Sequence, residues 1–117
     1  INFGAIYENV AAQELKAHGF ELYYFNSKKQ GELDFVIEYK GNVLPLEIKS
    51  GKAYTRHNAL DNVLKEERYA IPQAFVFCNK NISTQEKIAY LPIYMIGFLE
   101  KEKIEEYIYS IDLSALQ

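Results

Sequence analysis

Three observations predict an α/β domain in which helices cover a central mixed sheet. Residues 32–39 and 43–49 alternate like strands and are joined by Lys40-Gly41-Asn42. Residues 1–18 and 55–70, on either side, carry apolar residues at helical spacing. Residues 74–78 form a short, wholly apolar run of the kind buried on both faces of a sheet. The leading elements therefore read helix, strand, strand, strand, helix, strand (αβββαβ). Packing the helices on the sheet faces buries all of these stripes together.

Taken in order, residues 1–18 place Phe3, Ile6, Tyr7, Val10, Ala11 and Leu15 on one helical face. His18-Gly19 supplies the stop, because glycine accepts the left-handed position that follows a helix. Glu8 falls at the margin of this stripe, either as a solvated edge residue or leaning over the sheet towards Asp34. Residues 20–26 read as an aromatic strand and residues 27–31 as a polar turn. In the next strand Leu33, Phe35 and Ile37 face one way, and Glu32, Asp34, Val36 and Glu38 the other. After the hairpin, Leu44, Leu46 and Ile48 share one face, while Val43, Pro45, Glu47 and Lys49 share the opposite one. Pro45 cannot donate to a ladder, so this strand needs an edge or an irregularity there.

Ser50-Gly51-Lys52 ends that strand. The helix over residues 55–70 buries Ala59, Leu60, Val63 and Leu64, with Thr55 or Asn58 as cap and Pro72 beyond its end. Residues 79–85 read as a polar connector and 88–91 as a short strand. Residues 98–109 form a last amphipathic helix whose run from Glu100 to Glu106 is a solvated face. The tail, residues 112–117, has no assignment. There is no repeat or linker, and the 117 residues suit one domain.

Composition narrows the function classes. Hydrophobic residues make up 49%, with ten Tyr and seven Phe, which is enough to build a core. The net charge of -3 argues against tight, sequence-independent nucleic-acid binding over the whole surface, although a local basic strip can serve. Cys78 is a single cysteine inside an apolar run, a buried structural thiol that fits a reducing, cytoplasmic compartment. No run is long and apolar enough for a membrane span, and no signal-peptide pattern is present. A chain that starts at Ile1 and enters a helix at once is expected to be a segment of a longer protein. No glycine-rich nucleotide loop is present, so ATP binding by this chain alone is not expected. His18 and His57 lack a second ligand at metal spacing, which argues against zinc.

The hairpin carries the chemistry. It brings Asp34 and Glu47 towards each other, and like charges placed opposite one another destabilise a sheet. Mg²⁺ (or Mn²⁺) between them would relieve this, because such ions prefer carboxylate oxygen and keep waters that a phosphate oxygen can replace. The carbonyl of Ile48, between Glu47 and Lys49, is a further candidate ligand. Lys49 points to the same face, where its ammonium can orient an attacking water or stabilise charge growing on phosphorus oxygens. Lys28, Lys29, Lys52, Arg56 and His57 flank this site and either hold a nucleic-acid backbone or are ordinary solvated charges. Tyr54 is available to stack on a base. Tyr23, Tyr24, Tyr90 and Tyr94 read instead as core or rim packing.

Glu8, Asp34 and Glu47-Ile48-Lys49, in the αβββαβ order, resemble the PD-(D/E)XK nuclease superfamily and its restriction-endonuclease-like fold. The resemblance runs from Gly4 to Cys78. Leu33 stands where the superfamily's short form has proline, and the chain is less basic than active members usually are. More narrowly, GAIYENVAAQEL, GELDFVIE, LPLEIKSGK and the later YLPIYMIGFL are similar to the C-terminal domain of prokaryotic AAA-type ATPases. The resemblance implies that Asp34 and Glu47 are metal ligands, that Lys49 is the catalytic lysine and that Glu8 is a helix carboxylate beside the metal. It also implies DNA as substrate and an ATPase module on the N-terminal side. The competing expectation is a nuclease-fold module that binds DNA or a protein for the ATPase and cleaves weakly or not at all.

Overall fold

The structure, a computed structural model, describes residues 3–100. Its elements are α1 (Phe3–Ala17), β1 (Tyr23–Ser27), β2 (Gly31–Tyr39), β3 (Asn42–Lys49), α2 (Asn58–Lys65), β4 (Ala74–Cys78), β5 (Ser83–Gln85) and β6 (Ile88–Pro92). Single 3-10 segments at Glu67–Tyr69 and Ile93–Phe98 complete it. The strands form one six-stranded mixed sheet in the order β1-β2-β3-β4-β6-β5. β1 pairs with β2 and β2 with β3 antiparallel, β3 pairs with β4 and β4 with β6 parallel, and β5 closes the edge antiparallel to β6.

Local chemistry explains most boundaries. At the end of α1 the Phe20 N–H donates to the Leu15 carbonyl and the Gly19 N–H to the Lys16 carbonyl, with Gly19 at φ 89. This is a Schellman stop, and the buried Phe20 and Leu15 supply its apolar contact. The chain stays irregular to Leu22, so β1 starts at Tyr23 rather than at residue 20. The β2–β3 turn has two central residues, Lys40 and Gly41, both with positive φ, which matches the twist of a tight hairpin. Pro45 sits in an inner strand without loss. Ile48 turns its N–H towards β2 and Pro45, three residues earlier, faces the other way, where the ladder to β4 begins only at Leu46.

The helix expected over residues 55–70 is shorter than its sequence pattern. α2 occupies eight residues, Glu66 leaves the helix with φ -80 and ψ 101, and the chain then turns through the 3-10 segment. Neither Thr55 nor Asn58 caps it. His57 stands at the N-cap with its ring committed elsewhere. The polar connector contains β5, an edge strand that alternation could not reveal because all three of its residues are exposed. Most of the helix expected over residues 98–109, and the tail, lie outside the described residues.

The core has two layers, one on each face of the sheet. On the α1 side Ala11, Leu15 and Phe20 pack with Phe35, Ile37, Leu46, Ile48 and Phe77. On the α2 side Leu60 and Val63 pack with Leu33, Val76, Cys78, Ile88 and Tyr90. Phe3, Ile6 and Val10 remain about half exposed or more, so of the α1 stripe only Tyr7, Ala11 and Leu15 pack on the core. β4 is buried on both faces, as its composition indicates, and burial pushes the Cys78 thiol up.

Candidate functional site

The start of β2 and the ends of β3, β4 and β6 lie at one end of the sheet, opposite the β2–β3 turn. At this end the antiparallel ladder of β2 and β3 stops at Phe35 and Leu46. The reason lies on the other side of β2. Tyr23 pairs with Val36 and Phe25 with Leu33, so Asp34 and Phe35 together oppose the single residue Tyr24. That is a β-bulge, a device that kinks a strand and re-aims a side chain. It corrects the expected alternation: Leu33 packs with Val36 on the α2 side, whereas Phe35 and Ile37 pack on the α1 side.

The bulge puts Asp34 in the fork between β2 and β3. The Asp34 N–H donates to Glu47 Oε1 at 3.2 Å, and the Ile48 N–H donates to Asp34 Oδ2 at 2.9 Å. Two carboxylates thus replace the next rungs of the ladder. Each is held by the opposite strand through one oxygen, and the Asp34 carboxyl is also in hydrogen-bond contact with the carboxyls of Glu47 and Glu8.

The electrostatics are unfavourable for two bare charges. Glu47 is 6% exposed. Burial, and then the charge on Asp34, push its carboxyl up to about 8, against the pull of the Asp34 N–H and Lys49. Glu8 lies half-buried on α1, and its carboxyl is also raised, first by burial and then by Asp34 and Glu32, with Lys49 opposing. Glu8 therefore leans towards Asp34 rather than standing as a solvated edge residue. Lys49 is half-buried and acts on both glutamates. Glu8, Asp34, Glu47 and Lys49 come together as one cluster, with Ile48 held between β2 and β4.

Among the described residues, no group of three His, Cys, Asp or Glu side chains forms a ready-made metal cage. A Mg²⁺ site does not require one, since that ion is usually held by one or two carboxylates and keeps several waters. The donor set of Asp34, Glu47 and the neighbouring Ile48 carbonyl suits a hard cation of this kind.

The basic residues divide. Lys28, Lys29, Lys52 and Arg56 are exposed and lie in the turns that open at the same end of the sheet. Glu66 is held low chiefly by Arg68, with a smaller share from Lys29, so Lys29 is turned partly towards the α2 side. His57 does not belong with them. It is 8% exposed, with Nδ1 3.0 Å from Asp61 Oδ1 and Nε2 2.7 Å from the Tyr90 hydroxyl. Tyr54 packs edge-on against Tyr90 at 5.6 Å, so its ring is engaged in holding the loop after β3 rather than free for a base. Of the four tyrosines expected as core or rim packing only Tyr90 is buried; Tyr94 is 73% exposed, and Tyr23 and Tyr24 are also exposed.

Among the described residues no helix is long and apolar enough to cross a membrane. Neither the curated proteins nor the solved structures contain a match to this chain. Residues 3–96 match the model of the family described as "Domain of unknown function (DUF4143)", commonly found in AAA-ATPase-associated proteins, and the chain belongs to that family.

Proposed function

We propose that the domain is a metal-dependent DNA phosphodiester hydrolase of the PD-(D/E)XK type, with a restriction-endonuclease-like core, serving an AAA-type ATPase. The observation that carries this reading is the fork itself. Asp34 and a buried Glu47 are clamped by each other's strands, with Lys49 beside them. Two such carboxylates strain the fold unless a cation joins them. A divalent ion held there supplies positive charge that offsets a phosphodiester and acidifies water.

The chain's own residues do the rest. The Asp34 and Ile48 N–H groups fix the two carboxylates in place before a ligand arrives, so little reorganisation is needed on binding. Lys49 presents an ammonium to the water that attacks or to the oxygens on which charge grows. Glu8 adds a third carboxyl from α1, close enough to share a proton or a water with Asp34. Lys28, Lys52 and Arg56 are placed to meet the flanking phosphates.

A panel of labelled duplex, single-stranded and branched DNA is expected to be cut in Mg²⁺ or Mn²⁺ and left intact in EDTA. Full-length protein that cuts none of them in either metal would exclude the reading. The net charge of -3 favours a second one, in which the module binds DNA or a protein partner without cutting. In that case Glu47→Ala leaves biological activity intact while Arg56→Ala removes it.

A further inference from the structure

Beside the fork the sheet offers a second feature. Lys49, Cys78 and Pro92 form one row across the ends of β3, β4 and β6. Open α/β sheets bind ligands beyond the carboxyl ends of their parallel strands. Past Cys78 and Pro92 lies an open cleft of about 460 Å³, lined also by Asn79, Lys80, Asn81 and Tyr94. Its walls are mixed, with Cys78, Pro92, Ile93 and Tyr94 supplying apolar surface and Asn79, Lys80 and Asn81 supplying polar groups. Lys80, Asn79 and Asn81 are exposed, and among the described residues Lys80 makes no ion pair. Asn79 Nδ2 donates to the Ser50 carbonyl at 3.1 Å, which ties the cleft to the loop that follows Lys49. The Tyr94 ring stands at the far side, exposed, although its neighbours Ile93 and Met95 pack on the core.

We propose that this cleft is a subsite for an unpaired DNA strand running on from the position beside Lys49. The proposal rests on the nuclease reading and sharpens it to a substrate class: DNA with a single-stranded flank. Two strand spacings separate β3 from β6, roughly 10 Å. That is the span of about one or two nucleotides of an unpaired strand, which advances further per nucleotide than the about 3.4 Å of a stacked duplex strand. Lys80 then meets a phosphate, Asn79 and Asn81 offer donors to backbone oxygens, and Tyr94 receives a base. A duplex cannot use Tyr94 in this way because its bases are already stacked on one another, whereas an unpaired base has a free face.

The test is fluorescence anisotropy with two labelled oligonucleotides, a blunt duplex and the same duplex with a single-stranded flank. All proteins carry Lys49→Ala so that the strands stay uncut. The flanked DNA is expected to bind more tightly, by roughly tenfold. Tyr94→Ala should remove that preference and leave blunt-duplex affinity alone. Lys80→Glu should weaken binding several-fold and reduce the salt slope by about one. Lys40→Glu, in the turn at the opposite end of the sheet, should change neither. If Tyr94→Ala and Lys80→Glu behave like Lys40→Glu while a Lys52→Glu/Arg56→Glu pair weakens binding, the subsite is overturned and the nuclease reading stands. Failure of the unsubstituted surface to bind either DNA would overturn both.

Discussion

Glu47→Gln is expected to make the protein more stable above neutral pH and to remove its response to Mg²⁺. Below the ordinary carboxyl value of 4.5, Glu47 is protonated in folded and unfolded chains alike, and its contribution is fully present. Between 4.5 and about 8 the folded chain holds a proton that the unfolded chain has released. Stability therefore falls as pH rises through this window, by roughly 3–5 kcal/mol at most, and the loss is complete above it. Glutamine keeps the oxygen that accepts from the Asp34 N–H and carries no charge to bury. In EDTA at about pH 8.5, thermal unfolding of the variant should lie about 10 °C or more above that of the unsubstituted protein. Adding Mg²⁺ should close the gap from the other side, because an ion at a hundred times its dissociation constant stabilises by about 2.7 kcal/mol. Parallel pH profiles for the two proteins would show that Glu47 is not held in a hostile site.

Lys49→Ala is expected to lower turnover roughly 10²–10³-fold while leaving the fold and DNA affinity in place, the size of effect seen when one aimed donor is removed from a reacting centre. The fall should appear equally in kcat and kcat/KM, since the ammonium acts mainly on charge that develops in the transition state. Removing it also takes away a positive charge that repels a cation. This acts against the further rise of the Glu8 and Glu47 carboxyls when the Lys49 pull is lost, so cation binding should be retained above the range in which Glu47 titrates. Cleavage at the unsubstituted rate would take Lys49 out of the chemistry.

How much of this was legible depends on how local each feature is. The hairpin, the apolar β4 and the Gly19 stop follow from neighbouring residues, and they bring Asp34 towards Glu47 with little ambiguity. The bulge at Asp34 and Phe35 was hidden, because it depends on the pairing of β2 with β1 and not on the pattern within β2. His57 looked like a loop cation for a similar reason. What buries it is Tyr90, thirty-three positions along the chain. α2 is cut short at Glu66, where a glutamate with ordinary helix propensity leaves the helix and then caps the next turn by accepting from the Arg68 N–H. β5 is a polar edge strand with no alternation to read. The exposure of Tyr94 likewise depends on how the 3-10 segment after β6 lies against α1, which no local motif encodes.

The fork as a divalent-cation site is tested most directly by titrating Mn²⁺ into the protein and following the free ion by electron paramagnetic resonance. One ion should bind per chain, and Asp34→Asn and Glu47→Gln should each abolish that binding, whereas Lys40→Glu should not. No bound Mn²⁺, or a bound ion indifferent to both substitutions, would contradict the site.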